Sequence, residues 1–327
     1  MNKLIIRVLS CIFIFSIFCG VNVSALESNK KYEDASCQNE ICVAMAADNN
    51  YTLPTIVAMT SIMENSLKSN KYRFYLLLSG DFSTENKQKL TSLEHKYINC
   101  SVNLIDMNNM YEDYKVSSHI TTPTYYRLSL PSLLPNLDKI LYLDGDIIVR
   151  KDLGELYNTN IDDYYVAGVD QPHTSTISLG RDFLKSVGLT SHDEYINAGI
   201  ILINLKQWRE NNLEVKFQKC KERNANNRKW RLHDQDLLNE VCFDHIYYLP
   251  LKYNALMHYY NTFDKLIKPI SKNVWESSYE DATIVHFSSK VKPWNDLTIS
   301  KANLWWDYAN KTDFIKDINE KYMGDII

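Results

Sequence analysis

Short apolar runs alternate with segments of helical periodicity along most of this chain. A continuous apolar run is typical of a strand buried on both faces of a sheet, because a strand with one wet face alternates polar and apolar residues. Repeated alternation of strands with helices predicts an α/β fold with a mostly parallel sheet. The predicted strands are 41–47, 73–78, 102–105, 140–143, 147–149, 165–169, 199–203 and 283–287, and the predicted helices are 51–67, 84–97, 124–134, 205–223 and 234–241.

The amino-terminal segment departs from this pattern and has the features of an export signal. Lys3 and Arg7 precede an apolar stretch over 8–21, and Val23-Ser24-Ala25 has the small residues of a cleavage site. We therefore expect residues 1–25 to be a signal peptide that sends the protein along the secretory route, into an ER or Golgi lumen or out of the cell. Retention as a membrane anchor is the alternative, but so short an apolar stretch favours cleavage.

The remaining residues divide into three predicted regions. Residues 26–39 form a polar lead-in, and residues 40–295 carry the α/β domain. Residues 296–327 have a helical pattern with several aromatic side chains, which predicts a small C-terminal helical cap. No stretch after the leader is long and apolar enough to cross a bilayer.

Charge and composition narrow the classes of function. The net charge of -4 and the lack of a basic run argue against a nucleic-acid partner. Neither a GxGxxG motif nor a Walker loop occurs, so any diphosphate must be held without a glycine-rich cradle. An oxidising compartment would permit a disulfide between Cys220 and Cys242, although the sequence alone does not establish a pairing.

The most informative local feature is Asp144-Gly145-Asp146, which joins two apolar runs. The carboxyl end of a buried strand is where open α/β sheets bind ligands. Gly145 lets the backbone bend, so that both carboxylates can face one point. Two hard oxygen ligands that converge in this way suit Mn²⁺ or Mg²⁺. The alternative is an Asp-Gly hairpin turn with solvated acids.

A second polar group follows the last predicted strand. His286 ends that strand, and Lys290 and Lys292 follow four and six residues later. Lysine is a frequent phosphate partner, and two carboxylates with one imidazole suit Mn²⁺. A histidine at a strand end is, on its own, more often a surface or core residue than a ligand.

Two more clusters stand where helices are predicted to begin. Asp48 and Asn50 either cap the following helix or bond the edge of a uracil or a ribose. Asp234 and Asp236 flank Gln235 at the start of a later helix, where acids either complement the helix dipole or line a cleft.

Together these segments resemble glycosyltransferase family 8, the retaining nucleotide-sugar transferases of GT-A fold, which include lipopolysaccharide galactosyl- and glucosyltransferases. No single motif is specific, but seven occur in the family's order over residues 40–295. They are Ala46-Ala47-Asp48-Asn49-Asn50-Tyr51, Tyr126-Arg127-Leu128, Tyr142-Leu143-Asp144-Gly145-Asp146, Asn197-Ala198-Gly199, Leu202-Ile203-Asn204-Leu205 with Trp208, Asp234-Gln235-Asp236-Leu237-Leu238-Asn239, and His286-Phe287 through Lys292-Pro293-Trp294.

The resemblance implies a role for each matching position. Asp144, Asp146 and His286 would hold the metal ion. The residues implied to contact the donor nucleotide sugar are Asp48, Asn50, Tyr51, Arg127, Asp144, Gly145, Ser289 and Lys292, and those implied to line the sugar pocket as catalytic residues are Asn197, Asp234 and Gln235. One position departs from the family: Ser289 stands where a glycine is usual, and it either loosens the donor or donates its own hydroxyl.

The resemblance thus implies a Mn²⁺- or Mg²⁺-dependent retaining hexosyltransferase. It would move glucose or galactose from UDP-glucose or UDP-galactose to a glycan, lipid-linked or protein acceptor. Two alternatives stay open: a non-catalytic sugar-nucleotide or glycan-binding module, and a secreted metal-dependent phosphohydrolase, which should have more metal ligands than the chain offers. A peripheral membrane contact and the oligomeric state are also left open.

Overall fold

The computed structural model describes residues 40–114, 121–170, 195–224, 233–257 and 271–324. The predicted signal peptide and polar lead-in lie outside these residues and stay predictions. The strands are β1 (Glu40–Ala47), β2 (Lys71–Leu78), β3 (Cys100–Asp106), β4 (Lys139–Leu143), β5 (Ile147–Val149), β6 (Val166–Asp170), β7 (Ile196–Asn204), β8 (Ile246–Tyr248), β9 (Ala255–Leu256) and β10 (Ile284–His286).

Within the described residues, these strands form two sheets. The larger has seven strands in the order β3-β2-β1-β4-β7-β6-β8, and the smaller has three in the order β5-β10-β9. Strand β7 runs antiparallel to β4 and β6, whereas the other neighbours in the larger sheet are parallel. The carboxyl ends of β1, β4 and β6 therefore meet the amino end of β7 at one edge.

The helices that flank these sheets are mostly short. They are α1 (Thr52–Glu64), α2 (Thr84–Thr91), α3 (Leu93–Lys96), α4 (Leu130–Leu133), α5 (Gly154–Tyr157), α6 (Leu205–Glu210), α7 (Leu213–Asn224), α8 (Asp234–Cys242), α9 (Lys272–Glu280), α10 (Ala302–Ala309) and α11 (Ile315–Tyr322). Turns of 3-10 helix occur at Asn49–Tyr51, Thr122–Ser129 and Leu251–Tyr253. The predicted fold class, a mostly parallel sheet flanked by helices, is confirmed.

The central strands are buried on both faces, which explains their continuous apolar runs. In β1, Val43 and Met45 pack into one apolar cluster, and Ala44 packs into the cluster on the opposite face. Strand β4 does the same with Leu141 on one face and Tyr142 on the other. Because each buried aliphatic side chain stabilises a fold by about 1.5–3 kcal/mol, this double layer holds the strand ends in place.

Three predicted helices were wrong in their extent. The segment 205–223 forms two helices, because Asn212 adopts a left-handed conformation with φ 53° between α6 and α7. The segment 84–97 is likewise divided into α2 and α3, and most of 124–134 is 3-10 helix. Pro131 does not break a helix but lies in the first turn of α4, where its missing N–H leaves no bond unmade.

Several short elements were absent from the predictions. Strands β8 and β9 have three and two residues, too few for periodicity to reveal them. Helix α9 and helix α5 were also missed. Among the described residues, Cys220 and Cys242 do not form the disulfide that the sequence permits.

The C-terminal cap is present as α10 and α11, and it packs beside the motif that follows β10. Trp305 is fully buried, and its ring centroid lies 5.1 Å from that of Trp294. Trp306 Nε1 donates to Pro293 O at 3.0 Å. Lys321, at the end of α11, donates to Asn50 O at 3.0 Å. No helix among the described residues has both the length and the apolar character of a membrane span.

Candidate active site

The Asp144–Asp146 segment joins the two sheets. Asp144 N donates to Gly199 O at 2.8 Å, which ties it to β7 in the larger sheet. Phe287 N donates to Asp146 O at 2.9 Å, and His286 is the register partner of Ile147 in the smaller sheet. Since β4 and β5 belong to different sheets, the segment is not a hairpin turn. The backbone places His286 beside the acidic pair.

The structure brings Asp144, Asp146 and His286 together, with a ligand atom of each within 4.8 Å of the others. His286 Nε2 lies 3.2 Å from Asp146 Oδ1 and 3.8 Å from Asp144 Oδ2. This nitrogen is buried and makes no hydrogen bond with any described residue. A buried nitrogen left without a hydrogen bond between two carboxylates fits a divalent cation that takes one nitrogen and two oxygen ligands.

Gly199 supplies space beside this cluster. A Cβ atom at this position would lie 2.4 Å from His286 Cε1 and 2.5 Å from Asp144 Oδ2. Neither distance is compatible with van der Waals contact. Close approach of these side chains therefore requires a glycine here, a role that its place in a matching motif did not predict.

Lys292 balances the charge of the acidic pair. Its Nζ donates to Asp146 Oδ2 at 2.5 Å and to Phe287 O at 2.9 Å. Burial raises the pKa of Asp146, but the ammonium group of Lys292, together with the adjacent imidazole of His286, outweighs burial and holds that pKa well below its usual range. Asp146 is thus ionised at neutral pH. Lys290, in contrast, is exposed.

The predicted uridine edge lies at the end of β1. Asp48 Oδ1 accepts hydrogen bonds from Asn50 N and Tyr51 N, at 3.0 and 3.1 Å, so the capping role is observed. Asn50 is exposed, and Tyr51 packs edge-to-face against Trp294 with ring centroids 5.9 Å apart. Burial raises the pKa of Tyr51, and the carboxylates of Asp146 and Asp144 raise it further. Tyr51 therefore remains a neutral phenol near the acids.

Arg127 links the acidic pair to the predicted sugar pocket. Its Nη2 donates to Asp144 Oδ1 at 3.1 Å, and its Nε lies 3.1 Å from Asp234 Oδ2. The guanidinium lies over the ring of Tyr142, 4.0 Å from the centroid, and it also donates to Ala198 O. These contacts hold the two acids in place, and the predicted contact of Arg127 with the donor stays a prediction.

The three predicted pocket residues lie close together beneath Arg127. Gln235 Oε1 accepts from Asn197 Nδ2 and from Ala198 N, both at 3.0 Å. Burial raises the pKa of Asp234, and the charge of Arg127 opposes this effect. Because two hydrogen bonds occupy the oxygen of Gln235, a contact between that oxygen and the anomeric carbon would have to compete with them.

Ser289 completes the predicted set. Ser289 Oγ donates to Val291 O at 2.6 Å, within its own loop, so the hydroxyl is engaged there. Ser289 is not among the residues with positive φ, so its backbone tolerates a side chain. Asp170 ends β6 opposite Ile196 at the same sheet edge.

One residue of the site escaped sequence analysis altogether. Asn254 is buried between His286 and Asn197 and hydrogen-bonds to both. A single asparagine after a short turn carries no pattern of its own. Only its position could have indicated a role in the site: Asn254 directly precedes β9, and β9 pairs with the strand that ends at His286.

Comparisons with known proteins agree with this geometry. The model of glycosyl transferase family 8 matches residues 42–298. General stress protein A of Bacillus subtilis (strain 168) is 28% identical over 259 residues, covering 78% of this chain and 88% of that protein. Lipopolysaccharide 1,2-glucosyltransferase of Escherichia coli is 29% identical over 283 residues, covering 84% of this chain and 77% of that protein.

Solved structures share the fold. The galactosyltransferase LgtC, in complex with donor and acceptor sugar analogs, superimposes with a TM-score of 0.71 at 25% identity, over 84% of this chain and 96% of that one. The bifunctional glycosyltransferase WbbM superimposes with a TM-score of 0.74 at 23% identity, over 89% of this chain and 53% of that one. Such neighbours are GT-A glycosyltransferases. Because the family match extends over most of the described sheet and includes its acidic edge, the chain belongs to glycosyl transferase family 8.

Proposed function

We propose that this glycosyltransferase is a metal-dependent, retaining hexosyltransferase that uses UDP-glucose or UDP-galactose and a glycan, lipid-linked or protein acceptor. The observation that carries the proposal is the convergence of Asp144, Asp146 and His286, whose Nε2 makes no hydrogen bond with any described residue. Three such ligands suit Mn²⁺, with Mg²⁺ as the alternative. Family membership supports transfer of a sugar, and the relatives named above support a hexose.

The departing group in such a transfer is a nucleoside diphosphate, which gains negative charge as the glycosidic bond breaks. A bound divalent cation would supply positive charge against that diphosphate. Lys292 adds a second positive charge from the chain itself, on a side chain that is mostly buried and held by Phe287 O. Positioned charges of this kind stabilise a transition state without reorganising.

The sugar would lie against Asn197, Asp234 and Gln235. The amide of Gln235 is a poor covalent nucleophile, so we favour attack by the acceptor on the same face from which UDP leaves. The hydrogen bonds to its oxygen hold the amide plane fixed. Gln235 then acts on the developing positive charge through the orientation of its dipole.

The proposed reaction can be tested with a donor screen. Purified protein with Mn²⁺ is given UDP-glucose, UDP-galactose and other UDP-sugars, and released UDP is measured. We expect one of the two hexose donors to be turned over at least about tenfold faster than the others, because a site that hydrogen-bonds a sugar hydroxyl discriminates against its epimer. The linkage of the product, read by proton NMR, should be α. A β-linked product would contradict retention, and binding of UDP-sugar without UDP release would favour the non-catalytic alternative.

Lys292→Ala is expected to weaken UDP binding and slow transfer, by about tenfold to a hundredfold, because a positioned cation is lost beside the leaving diphosphate. Lys290→Ala is the matched control, since Lys290 is exposed and lies two residues away. Calorimetric titration with UDP and initial-rate assays of both variants measure the effect. Equal losses in the two variants would mean a general basic patch instead of a positioned contact.

A further inference from the structure

A chain of side-chain amides runs from the backbone of β7 to the ring of His286. Asn197 Oδ1 accepts from Gly199 N at 3.0 Å and from Asn254 Nδ2 at 2.9 Å. Asn254 Oδ1 in turn lies 2.9 Å from His286 Nδ1. Asn254 is 1% exposed and His286 is 1% exposed, so solvent does not replace these bonds.

The backbone fixes the direction of every bond in this chain. The N–H groups of Gly199 and Ala198 can only donate, so they must face Asn197 Oδ1 and Gln235 Oε1. Asn197 then directs its NH₂ at Gln235 Oε1, which is consistent with that assignment. With Asn197 Oδ1 facing Asn254, only the NH₂ of Asn254 can form the bond between them.

The orientation of Asn254 determines which nitrogen of His286 carries the proton. Because its NH₂ is used on Asn197, its Oδ1 must face the ring, and an oxygen there requires a donor at Nδ1. A neutral imidazole with its proton on Nδ1 has its lone pair on Nε2. Nε2 is the atom that lies between Asp144 and Asp146.

We propose that Asn254 is a positioning residue for the metal ligand His286: it holds the ring in the tautomer and orientation that present the Nε2 lone pair to a divalent cation. The proposal rests on the proposed metal site. The group that orients a ligating histidine is usually a carboxylate, a backbone carbonyl or a water, and losing it typically lowers metal affinity by about 10- to 100-fold. Here a side-chain amide takes that place, with its own orientation set by two backbone N–H groups.

The test uses two substitutions that separate this role from simple packing. Asn254→Leu removes the acceptor for Nδ1–H and excludes water, so Mn²⁺ affinity should fall by about 10- to 100-fold. Asn254→Asp keeps an oxygen that accepts from Nδ1–H of His286. Its second oxygen replaces the NH₂ group, however, and would face Asn197 Oδ1, so that two acceptors meet. The substitution should lower the melting temperature yet keep Mn²⁺ affinity within about threefold of wild type. Affinity is measured by the electron paramagnetic resonance signal of free Mn²⁺ in titrations of the full chain.

Asn239→Ala is the matched control. Asn239 is also a buried amide, with bonds to Ile196 N and Ile196 O of β7 and to Gln235 O, and no hydrogen bond joins it to His286 in the described part of the chain. This variant should lose stability and keep Mn²⁺ affinity. As a second signature, electron spin echo modulation from an imidazole nitrogen should accompany bound Mn²⁺ in the wild type and disappear in Asn254→Leu.

The outcomes distinguish this proposal from the proposed function. If the wild type binds no Mn²⁺ and shows no metal-dependent transfer, the metal site itself is wrong. If the wild type binds Mn²⁺ but Asn254→Leu binds it equally well with the nitrogen signal intact, only the role of Asn254 is overturned. Equal losses of affinity in Asn254→Leu, Asn254→Asp and Asn239→Ala would also overturn it, because packing alone would then account for the effect. Should Asn254→Asp fail to fold, the nitrogen signal in Asn254→Leu still decides.

Discussion

Gly199→Ala is expected to abolish divalent-cation binding and sugar transfer while the protein stays folded. The added methyl group would lie 2.4 Å from His286 Cε1 and 2.5 Å from Asp144 Oδ2, so one or both ligands must move. Backbone bonds to Asp144 and Phe287 prevent the strands from separating to make room. We expect a loss of at least about a hundredfold in both Mn²⁺ affinity and turnover, because the ligands can no longer meet at one point.

The matched control for this change is Gly168→Ala, in the neighbouring strand β6. Its methyl group would lie 2.6 Å from Ile196 Cδ1, the end of an apolar side chain, so it crowds the core without touching an acid or the histidine. Titration with Mn²⁺ and thermal unfolding of both variants separate the two effects. Wild-type Mn²⁺ affinity in a folded Gly199→Ala variant would show that the cation does not bind between His286 and Asp144.

Asp146→Ala is expected to reduce transfer by about a thousandfold or more, because it removes a cation ligand and the partner of Lys292 together. Excess chelator should give the same loss in the wild type, and added Mn²⁺ should reverse it there but not in the variant. UDP release and circular dichroism are the measurements. Full activity of the wild type in excess chelator would contradict a metal requirement.

Asp138→Ala serves as the control, since Asp138 directly precedes β4 at the opposite end and pairs with Arg209 at 3.0 Å. Removing that exposed pair should leave transfer within about twofold of wild type, because surface ion pairs contribute little.

Asp146→Ala should also unfold more readily at neutral pH. The lowered pKa of Asp146 means that its ionised form stabilises the fold above its unfolded pKa, and that this stabilisation is lost as the pH falls.

The convergence of Asp144, Asp146 and His286 could be predicted because these polar residues coincide with the ends of strands. Asp144 and Asp146 follow β4, and His286 ends β10, so each ligand stands where an apolar run stops. Parallel topology brings such ends to one edge, and the register of β5 with β10 adds the histidine. An apolar run marks a buried strand, and the polar residue that ends the run marks the edge of the sheet.

The roles of Arg127 and Asn254 could not be predicted, because both depend on partners distant in sequence. Arg127 bonds Asp144 and Ala198 O and lies 3.1 Å from Asp234, contacts that no local pattern indicated, while its predicted contact with the donor stays a prediction. Asn254 stands alone in the sequence and acquires its role only from the direction of hydrogen bonds in β7. The break at Asn212 was missed for a related reason: periodicity continues through a residue whose backbone turns left-handed.

The segment Asp144–Asp146, which links β4 to β5, limits the insertions and deletions that this site can accept. One acid is anchored to the larger sheet and the other to the smaller, so the number of residues between them is set by the distance between two sheets. One inserted residue would displace a carboxylate and also shift β5 by one position against β10. Because side chains alternate between the faces of a strand, that slip would exchange the faces of the three buried residues of β5 and would break the pairing of Ile147 with His286. The spacing of the two sheets therefore constrains the length of this segment, in addition to the chemistry that its side chains must supply.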